Sequence, residues 1–315
     1  MDAERIITLD MHTHLLEKKV KPRDYWNKVN ELGLDAITIS EHSELEPGKS
    51  YKLLLREKKG DAVLIPGMEV NSDKGHVVAY AEDARIYEIN VLKKNPVPIA
   101  ELIDIAKENN LLLSIAHPWG FDYDSLGLTM GTNKVEGLIR REFIGVEIYN
   151  GMVGYLCNFI YDSEWIRKPV NFLDFLDRNR VASKTGIHRV SGKIKTSIDK
   201  KRLDVVMRNA KATDLAGIAK FVTAGSDAHS ADRIGSGIMK IKTELSELNE
   251  VSVLEEMLKK DNIIWSGPPV KEVREGMYER IIDPLTKKEI LQGLKYITTK
   301  IIKKRISKKK SKIVE

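Results

Sequence analysis

Short apolar runs alternate along this chain with segments in which apolar residues recur at helical spacing. Seven of the apolar runs have the length and composition of buried strands, and they span residues 5–12, 35–40, 62–70, 76–81, 111–117, 143–150 and 221–227. Helices are predicted over residues 22–33, 98–110, 202–217 and 252–261. The alternation is typical of parallel α/β proteins, and seven strands predict a closed or nearly closed βα-barrel.

Two regions interrupt this alternation. Residues 118–140 contain four glycines and are predicted to form a loop. Residues 151–201 combine aromatic side chains with a basic run, which predicts an insertion with some helix. We therefore predict a barrel over residues 1–245 that carries this insertion, an extension over 246–297 that packs on the barrel, and a basic tail over 298–315.

The composition is that of a globular protein, with 42% hydrophobic and 31% charged residues in 315. A single cysteine, Cys157, excludes an internal disulfide framework, and any metal site must then be built from histidine and carboxylate. No apolar run reaches the length of a membrane span, and the first residues lack the apolar core of a signal peptide. We expect a cytoplasmic protein.

The net charge of +6 is concentrated at the C-terminus, where residues 298–315 hold eight Lys/Arg against one Glu. The rest of the chain is close to neutral. Three interpretations of this segment stay open: a helix docked on the barrel with a basic end, a tail that contacts nucleic acid, and a patch for anionic membranes.

Histidines and carboxylates gather where the predicted strands end. In the sequence LDMHTHLLE, His12 and His14 are one residue apart, so an extended strand points both imidazoles to the same side. Two neutral imidazoles side by side are suited to sharing a cation. The other residues of this kind near strand ends are Glu41, His42, Glu69, His76, His117, Asp227 and His229. Because the carboxyl ends of barrel strands converge on one face, we predict a metal site there.

The donor set narrows the metal. Imidazoles and carboxylates without thiolates suit Zn, Mn, Fe or Co. With Glu17 included, the candidate ligands exceed what one ion uses, so we expect two or three divalent ions. A carboxylate such as Glu69 can then bridge two of them.

The ordered motifs D-x-H-x-H, S-E-H, G-M-E, a following H, A-H-P and G-S-D-A-H resemble those of the PHP (polymerase and histidinol phosphatase) phosphoesterases. The resemblance covers about residues 5–150 and 205–240. It implies a distorted seven-stranded βα-barrel, similar to a TIM barrel, with a trinuclear metal centre on its carboxyl face.

The resemblance also implies a ligand set for each ion. The first ion would be held by His12, His14, Glu69 and Asp227; the second by Glu69, His76 and His117; the third by His42, His229 and Glu17. The chain departs from the family in three places. Glu replaces Asp at 17, S-E-H replaces T-D-H at Glu41, and the insertion at 151–201 is not typical of minimal members.

For a phosphate ester, clustered cations neutralise the non-bridging oxygens, and a water that loses its proton near neutral pH attacks phosphorus. Glu69 and Asp227 then serve catalysis through the ions, and Arg233, in the loop after His229, is the candidate phosphate contact. Asp10 and Glu41 are expected to orient the imidazoles from behind.

Two pairs of neighbouring residues are left with open roles. Glu147 and Asn150 end strand 6 on the same face, and Glu147 is either a partner of Lys or Arg or a functional group. Trp119 and Phe121 either stack on a nucleobase or pack under the long loop.

Four functions remain open from the sequence. The first is a metal-dependent phosphoesterase that acts on a small phosphorylated metabolite or nucleotide. The second is a nuclease with the same chemistry that uses the basic tail. The third is a non-catalytic metal-containing binding module, and the fourth is C–N bond hydrolysis on the same metal face.

Overall fold

A mixed β-sheet of nine strands forms the centre of the molecule and nearly closes into a barrel. The computed structural model describes residues 4–121, 124–162, 164–178, 187–274 and 277–280. The strands of the sheet are β1 (Arg5–Thr13), β2 (Ala36–Ile39), β3 (Val63–Ser72), β4 (Gly75–Tyr80), β5 (Leu112–Ile115), β6 (Gly145–Asn150), β7 (Val222–Gly225), β8 (Ile238–Thr243) and β9 (Ile263–Gly267).

The spatial order of the strands is β7-β6-β5-β4-β3-β2-β1-β8-β9. Strands β1 to β3 run parallel to each other, as do β5 to β7, whereas β4 is antiparallel to both of its neighbours. The seven predicted strands correspond to β1–β7, but the prediction of a seven-stranded sheet is wrong because β8 and β9 extend it in antiparallel orientation. The sequence of β8, IMKIKT, alternates lysine with apolar residues, so it lacks the continuous apolar run of a doubly buried strand.

Strands β1 and β7, the first and last of the seven predicted strands, meet at their carboxyl ends. Thr13 forms a parallel bridge with Ala228. The Asp227 N–H donates to the His12 carbonyl at 2.7 Å, and the His14 N–H donates to the Ala228 carbonyl at 3.0 Å. These bonds bring the residues that follow β7 alongside the end of β1, so the first and last groups of candidate ligands become neighbours.

The close approach of β7 to β1 depends on Gly225. A β-carbon at this position would lie 2.3 Å from the His12 β-carbon. We expect Gly225→Ala to lower the free energy of unfolding by about 1–3 kcal/mol, because the two strands must separate to admit the methyl group. Urea denaturation measures the change, and Gly217→Ala is the control because nothing lies within 4 Å of its β-carbon position. Equal losses in the two variants would contradict the packing argument.

Helices cover the sheet at most of the crossovers. The described α-helices are α1 (Pro22–Leu32), α2 (Pro47–Glu57), α3 (Ile99–Glu108), α4 (Leu126–Met130), α5 (Thr132–Arg141), α6 (Gly151–Asp162), α7 (Glu164–Arg178), α8 (Ile187–Asp214) and α9 (Glu250–Leu258). Helix α1 starts at a proline and ends before Gly33, which has a φ of 61° in the left-handed region.

Two of the sequence predictions for helices need correction. Residues 118–140, predicted as a loop, contain α4 and most of α5, which Gly131 separates with a φ of 83°. Of the four glycines in this stretch, only Gly131 lies at the break, whereas Gly127 and Gly137 lie within α4 and α5. Helix α2 had no counterpart among the predicted helices.

Residues 151–201, predicted to contain some helix, form α6, α7 and the first half of α8 in the described ranges. Helix α8 continues without a break to Asp214 and so includes most of the helix predicted over 202–217. Helices α7 and α8 pack on each other, and Lys195 forms an ion pair with Asp174 between them.

Helix α9 covers the end of the barrel opposite the ends of β1 and β7. It follows β8, which is antiparallel to β1, and it contacts β3, β7 and β8. Its Val253, Leu254 and Met257 pack into the same buried cluster as Ile7 and Leu9 of β1. This end therefore contributes to stability, whereas the other end is free to hold polar groups.

A hairpin of β10 (Val270–Arg274) and β11 (Met277–Arg280) follows β9. All described residues belong to one compact unit that spans Met1–Ile281. The predicted basic tail, 298–315, lies outside the described residues, and the proposed boundaries at 245 and 297 stay predictions. None of the described helices is long and apolar enough to cross a membrane.

Candidate metal centre

Six histidines and three carboxylates meet at the carboxyl ends of the barrel strands. They are His12, His14, Glu17, His42, Glu69, His76, His117, Asp227 and His229. These are the nine candidate ligands that the sequence indicated, and ring or ion-pair contacts join all of them into one cluster.

A β-bulge in β1 helps to place the H-x-H pair. Asp10 pairs with Ile37 and Thr13 pairs with Ile39, so β1 holds one more residue than β2 across this stretch. A bulge interrupts the strict alternation of side chains and re-aims those beyond it. The two Nε2 atoms of His12 and His14 come within 3.3 Å of each other, which confirms that the two imidazoles point to the same side.

Glu69 lies at the centre of the cluster, and its two carboxylate oxygens face different histidines. Oε1 is 2.8 Å from His76 Nδ1 and 3.1 Å from His117 Nε2. Oε2 is 3.0 Å from His42 Nδ1 and 3.5 Å from His14 Nε2. A carboxylate between two groups of imidazoles has the arrangement of a ligand that bridges two cations.

The β3–β4 hairpin brings His76 to Glu69. In the antiparallel pairing, Asn71 of β3 lies opposite His76 of β4. Side chains two residues apart on a strand share a face, so Glu69 lies on the same face as Asn71 and therefore as His76. A two-residue turn at Asp73 and Lys74 fixes this register.

Asp227 joins the H-x-H pair from the end of β7. Its Oδ1 is 3.2 Å from His14 Nε2 and 3.7 Å from His12 Nε2. Asp227 and His117 both have a positive φ, 53° and 29°, although neither is glycine. Such backbone costs about 1–2 kcal/mol per residue, and it recurs at functional sites where the surrounding structure enforces it.

Glu17 joins His42 and His229 at the more accessible side of the cluster. Its Oε2 lies 3.4 Å from His42 Nε2 and also contacts His229 Nε2, while Lys18 contacts its Oε1. The side chains of Glu17, His42 and His229 are 17–22% exposed. His14, by contrast, is 1% exposed. The cluster therefore opens to solvent on the Glu17 side.

The carboxylates dominate the electrostatics of the histidines. Burial alone would lower the pKa of His12, but Glu147 and Asp227 more than offset burial and hold this pKa well above its ordinary value. In His42, burial is again outweighed, chiefly by Glu69, and the pKa rises to about 9. The pKa values of His117 and His229 are also raised.

The histidines act on the carboxylates in return. Burial would raise the pKa of Glu69, but the charges of His76 and His42 hold it well below its ordinary value. The pKa values of Asp227 and Glu17 are likewise lowered by neighbouring imidazoles, against the effect of burial. Buried carboxylates that stay ionised among imidazoles can exchange the protons of those imidazoles for a cation.

Two observations test whether the residues present fit divalent cations. Some buried polar atoms in the cluster make no hydrogen bond of normal geometry, although each faces a carboxylate or an imidazole of the cluster. They are His14 Nδ1, Glu17 Oε2, Glu41 Oε1 and His42 Nδ1. Such atoms are rare unless they serve an ion or a ligand. The donors are imidazole and carboxylate throughout, a set that suits Zn, Mn or Fe.

Among the described residues, three groups have ligand atoms within 4.8 Å of one another. They are His14, Glu17, His42 and His229; His12, His14 and Asp227; and His42, Glu69 and His76. The first group shares His14 with the second and His42 with the third, so the three groups adjoin. The donor set and the buried atoms that lack hydrogen bonds fit a centre of divalent cations.

Asp10 and Glu41 contact backbone beside the cluster. Asp10 accepts the N–H groups of Ser226 and Gly235, each at 2.8 Å, and that of His12 at 3.3 Å. Burial raises the pKa of Asp10 to about 6 against the effect of these hydrogen bonds.

Glu41 accepts the N–H groups of Leu15 and Leu16 through Oε2, and its Oε1 is 3.5 Å from His14 Nδ1. Both carboxylates thus fix backbone on which candidate ligands lie.

Glu147 and Asn150 belong to the surroundings of the centre, a role that the sequence left open. Glu147 pairs with His12 at 3.0 Å, and its other oxygen accepts the N–H of His117 at 2.6 Å. Sequence reasoning missed Ser125, whose hydroxyl donates to the carbonyl of His117 at 2.8 Å. A lone serine in a glycine-rich stretch gives no signal of this contact.

The remaining candidates are Arg233, Trp119 and Phe121. Arg233 is buried, and its guanidinium carbon lies 4.0 Å from the centroid of the Tyr155 ring. Trp119 is 4% exposed and packs in the hydrophobic core. Of its two predicted roles, packing therefore agrees with the structure and stacking on a nucleobase does not. Phe121 meets the His117 ring edge-on at 5.1 Å.

No protein-family model matches this chain, and none of the curated proteins does. Among solved structures, this chain is similar to a two-domain protein from Bacteroides vulgatus that contains a predicted PHP-like metal-dependent phosphoesterase. The two are 17% identical with a TM-score of 0.48, and the match covers 82% of this chain and 64% of the other. PsfC from Pseudomonas syringae matches at 14% identity and a TM-score of 0.45 over 82% of this chain and 98% of that one.

A provisionally assigned metal-dependent phosphoesterase from Bifidobacterium adolescentis matches at 13% identity and a TM-score of 0.40, over 80% of this chain and 96% of that one. The chain spans about two thirds of the length of the Bacteroides protein. One of these structures thus contains a predicted PHP-like metal-dependent phosphoesterase, and all three are at most 17% identical to this chain.

Proposed function

We propose that this chain is a metal-dependent phosphoesterase that hydrolyses a phosphate ester of a small metabolite or nucleotide at two or three divalent ions. One observation carries the proposal: three adjoining groups of histidine and carboxylate, each with ligand atoms within 4.8 Å of one another, at the carboxyl end of the barrel. The order of the motifs along the chain supports the same chemistry.

The three groups indicate which residues would hold the ions. A neutral imidazole offers one lone pair, so His14 and His42, which the groups share, can each serve one ion. His12, His14 and Asp227 would hold one ion; Glu69 and His76 a second; and Glu17, His42 and His229 a third. His117 would join the second group, because its Nε2 is 3.1 Å from Glu69 Oε1. When bound, divalent cations supply positive charge for phosphate oxygens and lower the pKa of water to near neutrality.

The chain's own residues set the direction of approach and the orientation of the ester. The substrate would enter on the side of Glu17, where the cluster is most exposed. Arg233, four residues after His229, is the candidate contact for a phosphate oxygen. Its stacking on Tyr155 restricts the guanidinium, and an arginine held in place binds phosphate through paired N–H donors.

The proposal is tested by metal content and hydrolysis measured on the same samples. Protein purified without chelator should contain two to three Mn, Fe or Zn ions per chain by elemental analysis and should hydrolyse an aryl phosphate. His12→Ala should lose ions and activity together, because His12 contacts both Asp227 and Glu69. His188→Ala is the control, since His188 belongs to none of the motifs.

A short RNA in the same assay separates a nuclease from an enzyme for small esters. A folded wild-type protein that binds no ion even after Mn or Zn is added, and that hydrolyses nothing, would contradict the proposal. A protein that binds ions and cleaves only C–N bonds would contradict the choice of ester.

A further inference from the structure

Glu147 and Asn150, at the end of β6, connect three of the candidate ligands. Glu147 Oε1 is 3.0 Å from His12 Nδ1. Its Oε2 accepts the backbone N–H of His117 at 2.6 Å and the side-chain amide of Asn150 at 3.0 Å. A single carboxylate therefore contacts a side chain from the end of β1 and the backbone after β5.

Asn150 extends this connection in two directions. Its side-chain amide also donates to Asp227 Oδ2 at 3.3 Å, and its side-chain oxygen accepts the N–H of Val153 at 3.0 Å. The second bond satisfies a free N–H in the first turn of α6. Asn150 thus links Glu147, the candidate ligand Asp227 and the start of the helical region.

The pairing with Glu147 determines which nitrogen of His12 is available. A carboxylate accepts but does not donate, so the His12 nitrogen that faces it, Nδ1, must carry hydrogen. The lone pair of Nε2 then points towards Asp227 and Glu69, which lie 3.7 and 3.6 Å away. An imidazole whose second nitrogen is held by a carboxylate is a fixed and more basic ligand.

Burial argues against a merely structural carboxylate. Glu147 is 2% exposed and Asn150 1% exposed, and the described residues give Glu147 no lysine or arginine partner. A buried carboxylate needs a positive charge beside it, and a cation bound at His12 Nε2 supplies that charge once it has displaced the proton of the imidazole.

We propose that Glu147 is the positioning residue of the metal centre: it fixes the His12 tautomer and the His117 backbone, and through Asn150 it orients Asp227. This inference rests on the proposed function, because it concerns the ions of that centre. Glu147 is distinct from the nine candidate ligands, since it acts on the ions through the residues that hold them.

The test compares metal affinities by competition with a chromophoric chelator, using Mn and Zn alone as probes. We expect Glu147→Gln to weaken binding about ten- to a hundredfold. The matched control is Glu256→Gln, because Glu256 is also a buried glutamate, 3% exposed, but lies on α9 at the other end of the barrel. The control should lower the Tm of the metal-free protein and leave the metal affinity unchanged.

Two further measurements keep the inference testable if Glu147→Gln does not fold. Asn150→Ala removes the link to Asp227 and the amide bond to Glu147 Oε2 but leaves the contacts of Glu147 with His12 and His117. It should weaken metal binding relative to the wild-type protein, by less than the loss expected for Glu147→Gln. The ¹⁵N shifts of the His12 imidazole in the wild-type protein with metal bound should report hydrogen on Nδ1 and metal at Nε2.

Unchanged affinity in Glu147→Gln and Asn150→Ala would overturn the inference, as would an equal loss in Glu256→Gln. Hydrogen on Nε2 of His12 would also overturn it. A wild-type protein that binds no ion would overturn the proposed function instead, so the two failures are distinguishable.

Discussion

Glu69→Gln should reduce kcat/KM for phosphate-ester hydrolysis about a thousandfold or more, the largest effect that we expect of a single substitution. Glutamine keeps the shape of the side chain but removes the charge that lies between five imidazoles. Stabilisation of transition-state charge by metal ions is worth several kcal/mol, and about 4 kcal/mol corresponds to a thousandfold in rate. Ion content by elemental analysis should fall in parallel.

The control for this prediction is Glu57→Gln, the same substitution on the exposed end of α2. Circular dichroism and Tm of both variants, measured with metal removed, separate loss of the centre from loss of the fold. Full ion content and wild-type activity in Glu69→Gln would contradict the role of Glu69 as the shared ligand.

Metal affinity should rise steeply with pH between about 6.5 and 9. The pKa of His42 is raised to about 9 and that of His12 is raised well above its ordinary value, so these two imidazoles hold protons in the metal-free protein at neutral pH. The pKa values of His117 and His229 are raised in the same direction. Metal binds neutral imidazole, and each proton displaced makes the affinity rise about tenfold per pH unit. Chelator competition at pH 6.5, 7.5 and 8.5 measures the slope.

The stability of the metal-free protein should change in the opposite direction. A histidine whose pKa is higher in the folded than in the unfolded chain stabilises the fold fully below about 6.5. That contribution is lost as the pH rises to about 9, the pKa of His42 in the folded protein. The Tm of metal-free protein should therefore fall from pH 6.5 to 9, and His42→Gln should reduce the fall. A pH-independent Tm together with a flat affinity would contradict the electrostatic description of the cluster.

The seven apolar runs identified seven strands correctly because buried strands need continuous apolar sequence on both faces. Strand β8 escaped prediction for the same reason, since its lysines face outward between apolar residues. Helices α4 and α5 were missed because both are short and contain a glycine, and Gly131 separates them, so the stretch has the glycine content of a loop. Helix α2 was missed although it starts at a proline.

Most of the candidate ligands were evident in the sequence because six of the seven histidines lie near predicted strand ends, with Glu69 and Asp227 beside them, whereas Glu17 followed from the family resemblance. The residues that contact these ligands, such as Glu147, were not evident in the sequence. Glu147 has the same local pattern as a surface glutamate at a strand end, and only the pairing of β6 with β7 and the position of β1 bring it to His12. The contact of Arg233 with Tyr155 likewise joins residues distant in sequence, so no local pattern predicts it.

The sequence by itself determined the donor types, their order and their placement at strand ends, because ligand chemistry and strand periodicity are local properties. Tertiary structure decided how those donors meet. The bulge in β1 turns the H-x-H pair, the β3–β4 hairpin sets His76 against Glu69, and Gly225 lets β7 approach β1 closely enough to bring Asp227 to His14. These contacts depend on register and closure of the sheet, which arise from packing across the whole barrel.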